Sequence, residues 1–167
     1  WAISVARFTQ GMPDIAFLDI PALNKRIIAR KNEGVWINNQ KITSASRNFS
    51  SSQCISLCSR SIRVLQKKPE KTFPGKIRLL GVSSLNMISV AIGQTIGAIE
   101  ATPKIWDLAA AWLVLSELNC PIKWLDVDPS KLIPNQNMQS VDFPLLTASS
   151  VEGLQKLLPW GEALMNR

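Results

Sequence analysis

Among the residues able to do chemistry, Asp107 has the most telling position. It lies in the stretch Ile96 to Glu117, IGAIEATPKIWDLAAAWLVLSE. A short β-prone run, Ile96 to Ala101, ends at Thr102-Pro103, and a long apolar helix is predicted to start around Trp106-Asp107. Asp107 thereby falls in the first turn, where the helix dipole and the unpaired N–H groups favour a negative charge able to bind a cation. Leu108 to Leu115 is apolar at nearly every position, which leaves no polar face and implies burial on most sides. Ala109, Ala110 and Ala111 let neighbouring elements approach closely. Two further carboxylates frame this helix, Glu100 at the end of the preceding strand and Glu117 at its far end.

Composition narrows the chemistry. The 167 residues contain no histidine, which removes His-based triads and His metal sites. Cys54, Cys58 and Cys120 form an odd set without metal-type spacing, so free buried thiols in a reducing compartment are expected. The net charge of +7 is concentrated between Arg60 and Arg78, where seven basic residues face only Glu70. That segment suits either a solvated basic face or an anionic partner. Apart from Phe73 it has no interleaved aromatic to serve as a stacking platform, so nucleic acid is not the expected partner. The longest apolar run is far short of the roughly 20 residues needed to span a bilayer, and no signal-peptide pattern opens the chain. The reading is a protein with no membrane association, located in the cytoplasm.

The elements that must position these residues follow from hydrophobic pattern and turn chemistry. A strand over WAISVARF, a turn at Thr9 to Pro13, strands at Ile15 to Ile20 and Lys25 to Lys31, and a hairpin turning at Asn38-Asn39 make residues 1 to 43 an antiparallel meander. A Ser-, Asn- and Arg-rich stretch from Ser44 to Ser52 marks a boundary, dividing residues 1–48 from an α/β domain at 49–167. Beyond it the pattern predicts a strand at Cys54 to Cys58, a helix at Arg60 to Lys68, a loop from Pro69 and a strand at Lys76 to Leu80. A helix from Ser83 or Ser84 to about Ile92 then precedes the strand at Ile96 and the central helix. Last come a strand at Ile122 to Val127, a polar loop to about Asp142, a strand at Leu145 to Ala148 and a helix to Leu158. Strands alternating with helices indicate a layered α/β fold.

Several of these segments together resemble the inositol monophosphatase family of Mg²⁺-dependent phosphatases. Trp106-Asp107-Leu108-Ala109-Ala110, with Glu117 ten residues on, is similar to the family's second signature. Gly81-Val82-Ser83-Ser84-Leu85-Asn86-Met87 resembles its strand-to-helix segment, Gly97 to Glu100 the strand before the Trp-Asp, and Gly34 to Ile42 its hairpin. The resemblance covers roughly residues 1 to 118. It implies a layered α-β-α-β-α sandwich and hydrolysis of phosphate monoesters. Such hydrolysis uses hard cations held by carboxylate oxygens to neutralise the phosphoryl group and activate water. By resemblance Asp107 is a metal ligand, Glu100 accepts hydrogen bonds from substrate hydroxyls, and Gly81, Val82 and Ser83 form the loop along the substrate. Ser83 or Ser84 could equally be a helix N-cap, and Asn86 is expected to bond backbone across the loop. The Gly-Gly that follows the helix-end Glu in the family is replaced by Leu118-Asn119-Cys120-Pro121.

The family's upstream Glu and its Asp-Pro-hydrophobic-Asp-Gly-Thr motif do not occur before the strand that opens the chain. On that basis the sequence reads as the C-terminal two-thirds of a phosphatase, a fragment or degenerate copy with an N-terminally incomplete sandwich. It would lack the N-terminal metal-binding motifs and a complete catalytic set, bind Mg²⁺ weakly or not at all alone, and catalyse poorly. An open sheet edge would favour a homodimer or a complementary N-terminal segment. The expected substrate is inositol monophosphate-like. Alternatives are a 3′(2′),5′-bisphosphate nucleotidase or sugar bisphosphatase, and, in another class, a non-catalytic interaction remnant.

Overall fold

A computed structural model of the chain describes residues 1–43, 48–67, 71–131 and 137–166. Residues 44–47 of the expected boundary, Lys68, Pro69 and Glu70, and residues 132–136 of the loop before Asp142 lie outside the described residues.

The meander forms as five antiparallel strands in sequence order: β1 (Ile3–Thr9), β2 (Met12–Ile20), β3 (Lys25–Arg30), β4 (Gly34–Ile37) and β5 (Gln40–Ile42). Its turns are made by residues that accept positive φ, Gln10-Gly11 at 52° and 77° and Asn38-Asn39 at 48° and 69°. Paired positive φ values match the right-handed twist of the flanking strands. The expected turn at Thr9 to Pro13 therefore tightens to two residues, and Met12 and Pro13 join β2. Pro13 is tolerated there because it sits at the register shift opposite Arg7 and Phe8. Ala16, Leu18, Ile20, Ile27, Ala29 and Val35 point inward and are buried. On the outer strand β1, Ile3, Val5 and Phe8 remain exposed.

The second sheet has the order β7-β6-β8-β10-β9. Here β6 is Cys54–Leu57, β7 Lys76–Arg78, β8 Gly97–Glu100, β9 Ile122–Trp124 and β10 Leu145–Ala148. β6 runs parallel to β7 and β8, while β10 is antiparallel to β8 and β9. Two helices, α2 (Ser83–Ala91) and α3 (Ile105–Glu117), fill the space between the sheets. One core joins Leu18, Ile27 and Val35 of the first sheet to Met87, Ile88, Leu108, Ala111 and Leu115 of these helices and to Ala98 of the second sheet. The outer face of the second sheet is covered by α1 (Arg63–Lys67) and α4 (Val151–Met165) through Ile55, Leu57, Leu146, Val64, Leu157 and Trp160.

The expectation of an N-terminally incomplete five-layer sandwich is corrected by this architecture. The described elements make four layers, sheet, helices, sheet, helices, and the α/β sandwich takes in β1 to β10 and α1 to α4 across residues 3–165. The physical reason is that α2 and α3 are buried nearly all round, α3 by an almost wholly apolar surface, so each side of this helical layer is covered by a sheet. A smaller correction concerns α4, expected to stop at Leu158. It continues through Pro159 to Met165, because the added turns bury Trp160, Ala163 and Leu164. The predicted helix from Arg60 begins as a 3-10 turn, Ser59–Ile62, before α1. No helix among the described residues is long and apolar enough to cross a membrane.

Candidate functional site

The strand β8 ends at Glu100 and α2 begins at Ser83, and these two ends meet at a cleft of about 340 Å³. Gly81, Val82, Ser83, Asn86, Glu100, Arg60, Cys58 and Thr102 are among its lining residues. Gly81 has φ +77° and nothing within 4 Å of where a Cβ would stand, so the backbone conformation, not crowding, calls for glycine there. Val82 occupies the N-cap position with extended backbone and no side-chain capping bond, so neither Ser83 nor Ser84 caps the helix.

Ser83 uses its hydroxyl elsewhere. Its Oγ donates to Glu100 Oε2 at 2.6 Å, and Asn86 Nδ2 donates to Glu100 Oε1 at 2.6 Å. Asn86 therefore bonds a carboxylate and not, as expected, backbone across the loop. Glu100 is fully buried. Burial pushes its carboxyl pKa up, the donors Ser83 and Asn86 pull against that, and the charge of Asp107 adds to the rise. Asn86 was missed as a site residue, although its spacing of three from Ser83 on a helix puts both side chains on one face. Among the described residues Arg60 is the one basic residue of its segment that lines this cleft, and its Nη1 donates to Thr102 Oγ1 at 2.6 Å.

Asp107 is half-buried in the first turn of α3, as its position predicts, and its Oδ2 accepts the backbone N–H of Lys104 at 2.9 Å. It is not among the residues lining the Glu100 cleft. No three His, Cys, Asp or Glu side chains converge among the described residues. Asp107 has one oxygen occupied by Lys104 and Glu100 has both occupied by Ser83 and Asn86. These residues do not by themselves fit a divalent-cation site. Glu117 is turned toward the first sheet, accepting the N–H groups of Asn32 and Gly34.

The cysteines are free, but only Cys120 is buried; Cys54 and Cys58 are half-buried. Cys58 lines the cleft, with its Sγ 3.0 Å from Ser61 Oγ and accepting the N–H of Ala101 at 3.4 Å. Burial pushes the Cys120 thiol up to about 11.

Residues 1–143 match the model of the inositol monophosphatase family. The chain belongs to that family. A curated relative from Neisseria meningitidis serogroup B, described as "Putative Nus factor SuhB", is 28% identical over 127 residues, covering 70% of this chain and 48% of the relative. A solved dual specific IMPase/NADP phosphatase bound with D-inositol-1-phosphate has a TM-score of 0.74 at 23% identity. An inositol monophosphatase family protein from Staphylococcus aureus MSSA476 gives the same values, and each likeness covers 99% of this chain and 61% of the other. At that identity the likeness is one of fold. The chain thus spans about half the length of the curated relative.

These matches correct the reading of the sequence as a C-terminal two-thirds fragment in which the resemblance stops near residue 118. The family match starts at residue 1, so the opening strands belong to the family's region, and the structural likeness takes in nearly the whole chain. The motif-based expectation that the N-terminal catalytic region is missing is withdrawn on the same finding. The similarity is carried by the arrangement of both sheets and their helices, which extends well beyond the short signatures legible in the sequence.

Proposed function

We propose that the chain serves Mg²⁺-dependent phosphomonoester hydrolysis of the inositol monophosphatase type, with an inositol monophosphate-like substrate whose alcohol part enters the Glu100 cleft. The observation that carries this reading is the buried Glu100 carboxylate beside Gly81, Val82 and Ser83. A carboxylate is an acceptor-only group and suits the hydroxyl hydrogens of a polyol. Gly81, with no side chain and open space beside its Cα, leaves room for the ring at this edge of the cleft. By the family resemblance Asp107 would contribute one carboxylate to a cation, which would supply neutralisation of phosphoryl charge and activation of water, although the described residues alone do not complete such a site. A single carboxylate holds Mg²⁺ weakly.

A second reading, a 3′(2′),5′-bisphosphate nucleotidase or sugar bisphosphatase, draws support from Arg60 at the cleft wall, where a second anionic group would find a guanidinium. One of the structures of similar fold is an IMPase/NADP phosphatase complexed with NADP and Ca²⁺. Phosphate release from inositol 1-phosphate and from a 3′,5′-bisphosphonucleoside, with and without Mg²⁺, separates the two. Turnover that requires Mg²⁺ and is lost in Asp107→Asn supports the phosphatase reading, and the preferred substrate selects between its forms. Absence of metal-dependent turnover on either substrate counts against both and favours an interaction role.

A further inference from the structure

Glu100 is an expensive group to bury. It is buried at the wall of the cleft, no ion pair among the described residues includes it, and both of its hydrogen-bond donors are neutral side chains. Carboxylates in such surroundings lose hydration that neutral donors only partly replace. Both donors come from the first turns of α2, one helical step apart, and each reaches a different oxygen at 2.6 Å. Asn86 is itself buried, at 1% exposure, and its Nδ2 is committed to Glu100, while its Oδ1 meets no protein partner among the described residues.

We propose that Ser83 and Asn86 are positioning residues for Glu100: they clamp its two oxygens and so fix which of its remaining lone pairs can receive a ligand hydroxyl. An ionised carboxylate has about four acceptor sites. With one on each oxygen taken, the others are held in a fixed direction, and the side chain cannot rotate to follow a misplaced ligand. Pre-set acceptors spare the ordering cost of binding and discriminate by hydroxyl geometry. Ser83 then acts through Glu100 with its hydroxyl while its backbone remains part of the cleft wall. The inference rests on the reading that Glu100 receives a substrate hydroxyl.

The test uses the full chain and four variants, Ser83→Ala, Ser83→Thr, Asn86→Ser and Glu100→Gln, with two readouts. The first needs no ligand: the Asn86 side-chain amide is followed by ¹H–¹⁵N correlation. Its hydrogen facing Glu100 should resonate at low field, move upfield in Glu100→Gln and respond to Ser83→Ala. The second is affinity for inositol 1-phosphate by calorimetry. Ser83→Ala and Asn86→Ser should each weaken it about tenfold, while Ser83→Thr, which keeps the hydroxyl, should stay within about twofold of the parent. An amide signal indifferent to both Glu100→Gln and Ser83→Ala, or equal affinities for Ser83→Ala, Ser83→Thr and the parent, would overturn the proposal. If the parent binds no inositol 1-phosphate, the functional reading of the cleft fails, and the clamp stands or falls on the amide signal alone. Should Asn86→Ser not fold, the Ser83 pair and Glu100→Gln still decide it.

Discussion

Glu117, the last residue of α3, accepts the backbone N–H of Asn32 at 2.8 Å, and its second oxygen takes that of Gly34 at 3.0 Å. One carboxylate thereby fastens the end of the central helix to the turn between β3 and β4, 85 positions away from Asn32. Hydrogen bonds to a charged acceptor contribute more than neutral ones, and removal leaves two turn N–H groups to find other partners. Glu117→Ala should cost about 1–3 kcal/mol in urea unfolding. Glu117→Gln, which keeps a single acceptor oxygen, should cost less. Equal stability of Glu117→Ala and parent would remove this tie from the account.

Gly161 sits inside α4, where alanine would ordinarily be favoured by about 1 kcal/mol. A Cβ there would lie 2.6 Å from Leu146 Cδ1 and 3.0 Å from both Leu146 Cγ and Leu125 Cδ2. Leu146 is fully buried and cannot swing aside freely. Overpacking costs about 1–3 kcal/mol, so the steric effect should outweigh propensity and Gly161→Ala should be net destabilising. Thermal unfolding checks the sign.

Glu100 gives the fold a pH dependence of definite sign. Its folded-state pKa is raised above the ordinary 4.5, chiefly by burial. The contribution is fully present below the ordinary carboxylate range and is lost as pH climbs through the raised midpoint. Asp107 strengthens the effect, and the donors Ser83 and Asn86 oppose it. Stability of the parent relative to Glu100→Gln should therefore fall as pH rises above about 4.5. A difference that does not vary with pH, or that grows in the parent's favour, would contradict this.

The sequence carried the strand and helix pattern well where turn chemistry was local. Asn38-Asn39 announced its hairpin, Asp107 its place in the first turn of α3, and Leu108 to Leu115 their burial. It carried less where burial overrode a local signal. The last helix, expected to stop at Leu158, runs on through Pro159 because Trp160 and Leu164 are buried. Gly81, Val82, Ser83 and Glu100 were named for substrate contact only through the family resemblance; that they line one cleft, and that the Ser83 hydroxyl and the Asn86 amide turn toward Glu100, came from the structure. Side-chain direction of that kind depends on how α2 docks against β8, which no single segment encodes. The extent of the fold was misjudged because short signatures mark turns and sites, while the sheet-and-helix arrangement spreads over residues with no distinctive identity.

The three thiols should separate by reactivity. Cys120 is buried and its pKa is pushed up to about 11, so little thiolate is present at neutral pH and reagent access is poor. Cys54 and Cys58 are half-buried, and Cys58 lines the cleft. Native alkylation mapped by mass spectrometry should label these two well before Cys120. Saturating inositol 1-phosphate should slow labelling of Cys58 selectively.

The most direct test of the central claim is to map inositol 1-phosphate onto the protein by backbone amide perturbation in the presence of Mg²⁺. The account predicts that shifts cluster at Gly81, Val82, Ser83, Glu100 and Thr102, and that Glu100→Gln weakens the response. Shifts centred elsewhere, for instance on the exposed pocket bounded by Arg7, Asp14 and Arg30, or no saturable shifts at all, would contradict the assignment of this cleft.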